Sequence, residues 1–219
     1  MTSAIARLQT LPEAFTLAGF RKISGFSGNA TAVCLRRWKL RGLIEPAGAR
    51  AGIYFNKLRC PVVDSALRID ALTFEYPTAI LCGESVLHAA GWITQIPARL
   101  AVAVLRRPSY VTLYEFDLHG RPLSWFKKVH DAVTAADNAR VYGLKALPPA
   151  MALVDLYGDP LAWHPDVDDL DIPVDEVGAV LSARKRLDIA LPAPLMRHMQ
   201  RSYRPLKSSG TSWCRPSSL

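Results

Sequence analysis

The sequence predicts an α+β protein made of two parts, a short basic N-terminal unit and a larger mixed α/β unit. Three observations support this prediction. Residues 1–60 carry the whole net positive charge, they contain helical patterns separated by a glycine-rich turn, and a hairpin pattern follows those helices. Residues 61–205 instead mix helical patterns with apolar runs typical of buried strands, and the Ser-rich residues 206–219 predict a disordered tail.

The charge is distributed unevenly along the chain. Its 27 Lys and Arg against 19 Asp and Glu give a net charge of +8. Residues 1–60 hold ten of the basic and only two of the acidic residues, and the remainder is balanced at 17 and 17. Such a concentration indicates a polyanionic partner, because neutralising phosphates releases condensed counterions. Charge alone fits a basic face kept for solubility equally well.

The first unit opens with two short helical patterns. Ile5 and Leu8 are spaced for one face of a first helix that Pro12 ends. Thr16 is placed to cap a second helix with Leu17, Phe20 and Ile23 on its inner face. A turn at residues 25–28 follows this helix.

A third helix is predicted over Asn29–Arg41, with Ser27 or Asn29 as its N-cap and Gly42 ending it. Short β-like runs at residues 43–45 and 53–55 flank a loop with glycines near both ends, which predicts a hairpin with a flexible tip. Helix, turn, helix and hairpin in this order predict a winged helix-turn-helix over residues 1–60.

The third helix divides into two faces at 100° per residue. Thr31, Cys34, Leu35 and Trp38 share the face expected to pack inward. The opposite side is a small ridge with cationic edges, and this ridge suits the major groove, where Arg pairs bidentately with guanine. The predicted DNA-binding residues are Ser27, Asn29, Ala32, Val33, Arg36, Arg37, Lys39 and, at the hairpin tip, Arg50. We expect Arg41, at the flank of the inner face, to meet a phosphate or the wing.

The larger unit predicts a helix from Pro77 to about Ala90 and a buried strand over 99–105. Further strands are expected over 110–118 and 122–129, with a turn at His119-Gly120 between them. Helices are predicted over 147–157 and 174–186, and Asp155 is expected to be a buried hydrogen-bonding residue. Residues 58–70 fit a connector or the start of this unit.

Candidate chemistry in the larger unit is sparse, and the sequence predicts neither an enzyme nor a cofactor or metal. Glu84 and His88, four residues apart on a predicted helix, are spaced for an acid/base or metal pair but more commonly form a surface contact. The acidic run 166–171 lacks the EF-hand glycine and terminal glutamate. Cys34, Cys60, Cys82 and Cys214 have no metal-binding spacing. Without a signal peptide pattern or a long apolar run, the expected location is the cytoplasm.

Four segments together resemble the AbiEi family of antitoxins from type IV toxin–antitoxin, or abortive-infection, systems. They are residues 35–44 (LRRWKLRGLI), 52–55 (GIYF), 78–91 (TAILCGESVLHAAG) and 150–156 (AMALVDL). The resemblance implies a winged helix that represses its own operon at inverted repeats, with DNA contacts from Asn29, Arg36, Arg37 and the wing around Arg50. It implies an antitoxin-type domain over 61–205 that counters a nucleotidyltransferase-like toxin without a stable complex between them.

Two alternatives to this function remain open. The larger unit could sense a ligand in a general transcriptional regulator, or it could be a nuclease-like domain. On the residues alone, the basic helix also fits a protein-interaction module.

Overall fold

The computed structural model describes residues 4–105, 111–135, 140–159 and 162–202. Within these ranges the chain forms nine α-helices, two 3₁₀ helices and two three-stranded sheets, so the predicted α+β class is confirmed. No helix in the described ranges is long and apolar enough to cross a membrane. The predicted tail at 206–219 lies outside the described residues.

The N-terminal unit contains three helices and a small antiparallel sheet. Its elements, in chain order, are α1 (Ala4–Thr10), β1 (Ala14–Thr16), α2 (Leu17–Ser24), α3 (Gly28–Leu40), β2 (Ile44–Pro46) and β3 (Ile53–Asn56). The sheet has the order β1-β3-β2, with β3 antiparallel to both neighbours. The three predicted helices and both hairpin strands are confirmed, whereas β1 was not predicted.

Local capping explains where these helices begin and end. The Thr16 side chain accepts a hydrogen bond from the Gly19 N–H (3.0 Å), as a helix N-cap should. Ser27 caps α3 in the same way, through the Ala30 N–H (3.4 Å). Gly42 follows α3 at φ 65°, a left-handed conformation that glycine adopts without strain and that stops the helix as predicted.

The N-terminal unit has a small core of its own around Trp38. The Phe20 and Trp38 ring centroids are 5.1 Å apart, and the core comprises Leu8, Leu11, Phe15, Phe20, Leu35, Trp38 and Ile44. The placement of Leu17 and Ile23 on the inner face of α2 was wrong, since both are exposed, and Ile5 of α1 is exposed as well. Both helices are short, with seven and eight residues, and each reaches this core with a single buried side chain.

The first sheet separates two cores. Tyr54 stacks on Phe15 at 5.7 Å between ring centroids, on the side of the small core. Ile53 and Phe55 alternate with it and belong to the larger core of the second unit, as strand geometry requires of neighbouring residues. Ala47, in the hairpin loop, also belongs to the larger core. The hairpin therefore contributes side chains to both units.

The second unit is built around a mixed sheet. Its strands are β4 (Ile80–Leu81), β5 (Leu100–Leu105) and β6 (Phe116–Arg121), and its helices are α4 (Ser65–Glu75), α5 (Gly83–Ala89), α6 (Leu123–Thr134), α7 (Pro149–Tyr157), α8 (Val177–Leu187) and α9 (Ala193–Ser202). β5 lies in the centre, antiparallel to β4 and parallel to β6. The predicted strand at 99–105 and the helices at 147–157 and 174–186 are confirmed, and the last of these begins with a 3₁₀ turn, Val174–Glu176.

Four predictions in this unit were wrong. The helix expected from Pro77 begins only at Gly83, because Ile80-Leu81 pairs with β5 instead. His119-Gly120 is not a turn, since β6 runs through both residues alongside β5, and the strand expected over 110–118 starts at Phe116. Residues expected to form a third strand belong to α6, whose buried side chains Trp125, Val129 and Val133 recur every fourth residue.

The most buried helix, α7, contains one buried acidic residue. Asp155 is only 4% exposed, and it accepts hydrogen bonds from the Trp125 Nε1–H (2.6 Å) and from Arg121 Nη2 (3.1 Å). A buried charge needs such partners, so the prediction of a buried hydrogen-bonding residue is confirmed. This cluster joins β6, α6 and α7.

Candidate nucleic-acid interface

Seven of the eight predicted site residues lie on α3 or at its N-cap. Thr31, Leu35 and Trp38 are buried beneath the helix, and Cys34 is half-buried. The predicted outer residues are all exposed: Asn29, Ala32, Val33, Arg36, Arg37 and Lys39. Val33 and Leu40, apolar side chains with no core to enter, are 49% and 78% exposed. The two-faced helix predicted from the sequence is confirmed, and we call its exposed side the α3 ridge.

The dimensions of α3 follow from its sequence. Thirteen residues at about 1.5 Å each make a rod of about 20 Å. The Ser27 hydroxyl is engaged in capping, and the Thr31 hydroxyl donates to the Ser27 carbonyl (2.8 Å). Ser27 therefore fixes the start of the ridge, while the longer side chains beyond it provide the surface that a ligand meets.

The cations of the α3 ridge, and Arg41 directly after it, have no carboxylate partners among the described residues. Arg36, Arg37, Lys39 and Arg41 appear in no ion pair there. Glu45, one of the two acids of the N-terminal unit, is engaged elsewhere, 3.5 Å from Lys57 Nζ and 3.1 Å from Arg68 Nη2. Because internal carboxylates do not neutralise it, the ridge presents its positive charge to an external anion.

Two further arginines accompany the ridge: Arg41, which the sequence predicted to meet a phosphate or the wing, and Arg7, for which the sequence predicted no contact. A groove of about 490 Å³ separates α1 from α3, and Arg7, Arg37 and Arg41 all line it. The guanidinium carbon of Arg7 is 4.8 Å from the centre of the Phe26 ring. Sequence spacing could place Arg41 at the flank of α3, but nothing in it relates α1 to α3, so Arg7 was missed.

Arg50 lies in the hairpin, on a different element from the other predicted site residues. It is exposed and has a φ of 54°, at a turn between β2 and β3. The flexible tip expected here stays a prediction, and two backbone hydrogen bonds join Ala47 and Ala49 of the same loop to residues 112–114. The Thr112 N–H donates to the Ala49 carbonyl and the Tyr114 N–H to the Ala47 carbonyl, each at 3.1 Å. These bonds attach the loop that carries Arg50 to the second unit.

An ion-pair cluster reinforces this attachment. Arg68 of α4 pairs with Glu45 of β2 (3.1 Å) and with Glu115 just before β6 (2.9 Å). Its guanidinium carbon also lies 5.4 Å from the Phe55 ring centre. One side chain thus contacts both strands of the hairpin and the residue that precedes β6. We call the contacts of Arg68 together with those of residues 47–49 the hairpin attachment.

The other sequence candidates do not assemble into a site. Glu84 and His88 both lie on α5 and are half-buried, and His88 Nδ1 is buried without a hydrogen-bond partner in the described chain. Asp166 caps a 3₁₀ helix through the Asp168 N–H (3.4 Å). The described residues contain no group of three or more His, Cys, Asp or Glu placed to hold a metal.

Comparison with protein-family models and with curated proteins finds no match for this chain. The α3 ridge, the three-arginine groove beside it and the hairpin are therefore the features on which a function can be proposed.

Proposed function

We propose that the N-terminal unit is a winged helix-turn-helix that binds double-stranded DNA, with α3 as the recognition helix and the β2–β3 hairpin as the wing. The observation that carries this proposal is the α3 ridge, an exposed cationic helix face that has no carboxylate partner among the described residues. The order of α2, α3 and a following hairpin supports it, because the second helix of such a motif enters the major groove.

We assign base contacts and phosphate contacts to different residues of the ridge. Asn29, Ala32, Val33 and Arg36 meet base edges, since a recognition helix contacts them with its N-terminal residues and Arg forms two hydrogen bonds with guanine. Arg37 and Lys39 at the flanks meet phosphates, which position the protein without reading sequence. Arg50 on the hairpin reaches a phosphate or the minor groove.

We further propose that the protein is a cytoplasmic autorepressor and antitoxin of a type IV toxin–antitoxin system. This part rests on the resemblance to the AbiEi family carried by residues 35–44, 52–55, 78–91 and 150–156. The second unit then counters a nucleotidyltransferase-like toxin without forming a stable complex with it and without catalysing a reaction. The alternative is a winged-helix regulator whose second unit senses a ligand or acts as a nuclease.

A mobility shift with the full chain and its own upstream DNA tests DNA binding. We expect binding that weakens steeply between 50 and 200 mM salt, as counterion release requires. Arg36→Ala should weaken binding to that DNA by about 5- to 150-fold if Arg36 reads a base. The matched control is Arg184→Ala, which removes the same charge from an exposed position on α8. No binding by the wild-type chain at low salt, or equal losses in both variants, would contradict the proposal.

Growth rescue tests the antitoxin role separately. The chain should restore growth to cells that express a nucleotidyltransferase-like toxin encoded beside it, and Arg36→Ala should still rescue because the DNA-reading residue is not in the second unit. Failure to rescue, with DNA binding intact, would favour the ligand-sensing regulator. Metal-dependent cleavage of nucleic acid by the purified chain would favour the nuclease.

A further inference from the structure

We propose that the groove between α1 and α3 is a phosphodiester-binding site, in which Arg7, Arg37 and Arg41 hold the DNA backbone beside the α3 ridge. This inference rests on the proposed DNA-binding function and extends the interface to a helix outside the helix-turn-helix. It assigns to Arg7 a ligand contact that its position in the sequence does not reveal.

The groove is lined mostly by cationic and apolar side chains. Of its three arginines, α1 contributes Arg7, α3 contributes Arg37, and Arg41 is the residue that caps the C-terminus of α3. Phe26, Cys34 and Trp38 also line the groove, and no acidic residue does so among the described residues. Three guanidinium groups around about 490 Å³ repel one another, and an anion placed between them relieves that repulsion.

Arg7 is held in place before any ligand binds. Its side chain is half-buried, and its guanidinium carbon lies 4.8 Å from the Phe26 ring centre, within the range of a cation–π contact. A second line of observation comes from Cys34. Burial raises the pKa of its thiol, and the positive charges of Arg7 and Arg37 partly offset this effect. Both guanidinium groups therefore lie near enough to the Cys34 sulfur to act on it, in agreement with their shared place in the groove lining.

The shape and chemistry of the groove favour a nucleic-acid backbone over a small anion. Its lining runs along α3 from Asn29 to Arg41, twelve residues apart, which corresponds to about 18 Å of helix. Arg presents a planar fork of donors that matches phosphate oxygens. Asn29, Val33 and Arg37 belong both to this lining and to the α3 ridge, so a strand lying in the groove runs beside the bases that the ridge reads.

The first test compares variants of the full chain on two duplexes, its own upstream DNA and a scrambled sequence of equal length. Arg7→Ala should weaken binding to both duplexes equally, by about 5–10-fold at 0.1 M salt, and should lower the salt slope by about 1. Arg36→Ala should instead affect mainly the upstream DNA, and Arg184→Ala should affect neither duplex. Arg7→Lys should keep most of the salt slope, because the charge remains.

The outcomes separate this inference from the function on which it rests. If Arg36→Ala reduces binding while Arg7→Ala changes neither affinity nor salt slope, the groove is not a phosphate site although the chain binds DNA. A loss with Arg7→Ala on the upstream DNA alone would also overturn the inference, since a backbone contact does not depend on sequence. If the wild-type chain binds neither duplex, the proposed function itself fails.

A second measurement uses the wild-type chain and does not depend on the folding of any variant. Saturating duplex should slow alkylation of Cys34 by N-ethylmaleimide at least about fivefold, because a strand in the groove covers the thiol. Cys60, which is half-buried outside the groove and donates to the Val62 carbonyl, is the internal reference and should react at an unchanged rate. Equal rates at Cys34 with and without bound duplex would show that the groove is empty in the complex.

Discussion

Gly48 is the position at which one added methyl group should separate the hairpin from the second unit. A Cβ built on Gly48 would lie 1.9 Å from the Thr112 carbonyl oxygen and 2.7 Å from Leu113 Cα. Both neighbours are backbone atoms, so no side-chain rotation relieves the overlap, and the hairpin must move. The φ of Gly48 is not in the left-handed region, so the predicted effect of Gly48→Ala is steric.

The cost of Gly48→Ala can be worked out from the contacts that are lost. Moving the loop breaks the bonds from the Thr112 N–H to the Ala49 carbonyl and from the Tyr114 N–H to the Ala47 carbonyl. Each bond contributes about 1 kcal/mol net, and overpacking alone costs about 1–3 kcal/mol. We therefore expect a loss of about 3–5 kcal/mol, which lowers the Tm of a chain of this size by about 6–20 °C.

Calorimetry on the full chain measures this effect, and Gly178→Ala is the matched control. A Cβ at Gly178, which lies in α8, meets nothing within 4 Å, so that variant should have the wild-type Tm or a higher one. Gly48→Ala should also weaken DNA binding, because the loop that carries Arg50 is displaced. A Tm within about 2 °C of wild type would refute the close packing of the hairpin against residues 112–113.

Three further predictions concern single side chains. Asn56→Ala should lower the free energy of unfolding, measured by urea titration, by about 2–3 kcal/mol. The reason is that the buried Asn56 amide donates hydrogen bonds to the Leu8 (2.7 Å) and Leu11 (3.3 Å) carbonyls. An unchanged unfolding midpoint would contradict this prediction. Trp125→Phe should lower the free energy of unfolding by about 1.5–3 kcal/mol in the same assay, because it removes the 2.6 Å hydrogen bond from Trp125 to the Asp155 carboxylate. A loss below about 0.5 kcal/mol would argue against that hydrogen bond. Burial raises the pKa of the Cys82 thiol, so the folded state keeps a proton that the unfolded chain releases near pH 9.0, and stability falls as the pH rises past that value. Between pH 8 and 10 the wild type should lose about 1.4 kcal/mol more stability than Cys82→Ala, and equal losses would refute this.

Local chemistry explains why the sequence predicted α3 well. Thr31, Leu35 and Trp38 on one side and Arg36, Lys39 and Leu40 on the other are set by helical periodicity, which depends only on residues a few positions apart. Ser27 and Gly42 fix the ends of the helix through equally local conformational preferences. The α3 part of the candidate interface could therefore be read from about fifteen consecutive residues.

Errors arose where a segment's partner lies far away in the chain. Ile80-Leu81 continues a helical pattern, but pairing with Val102-Ala103 makes it a strand. His119-Gly120 has the composition of a turn, yet hydrogen bonding alongside β5 keeps it extended. Strand pairing between distant segments overrides local preference, because each buried backbone group needs a hydrogen-bond partner.

The sequence by itself determined the basic charge of the N-terminal unit, its helices and the two faces of α3. Only the tertiary structure brought Arg7 beside Arg37 and Arg41, and only it attached the hairpin loop to residues 112–114. The reason is physical: helix faces and caps depend on neighbouring residues. The groove and the hairpin attachment depend on how two cores pack against opposite sides of one small sheet.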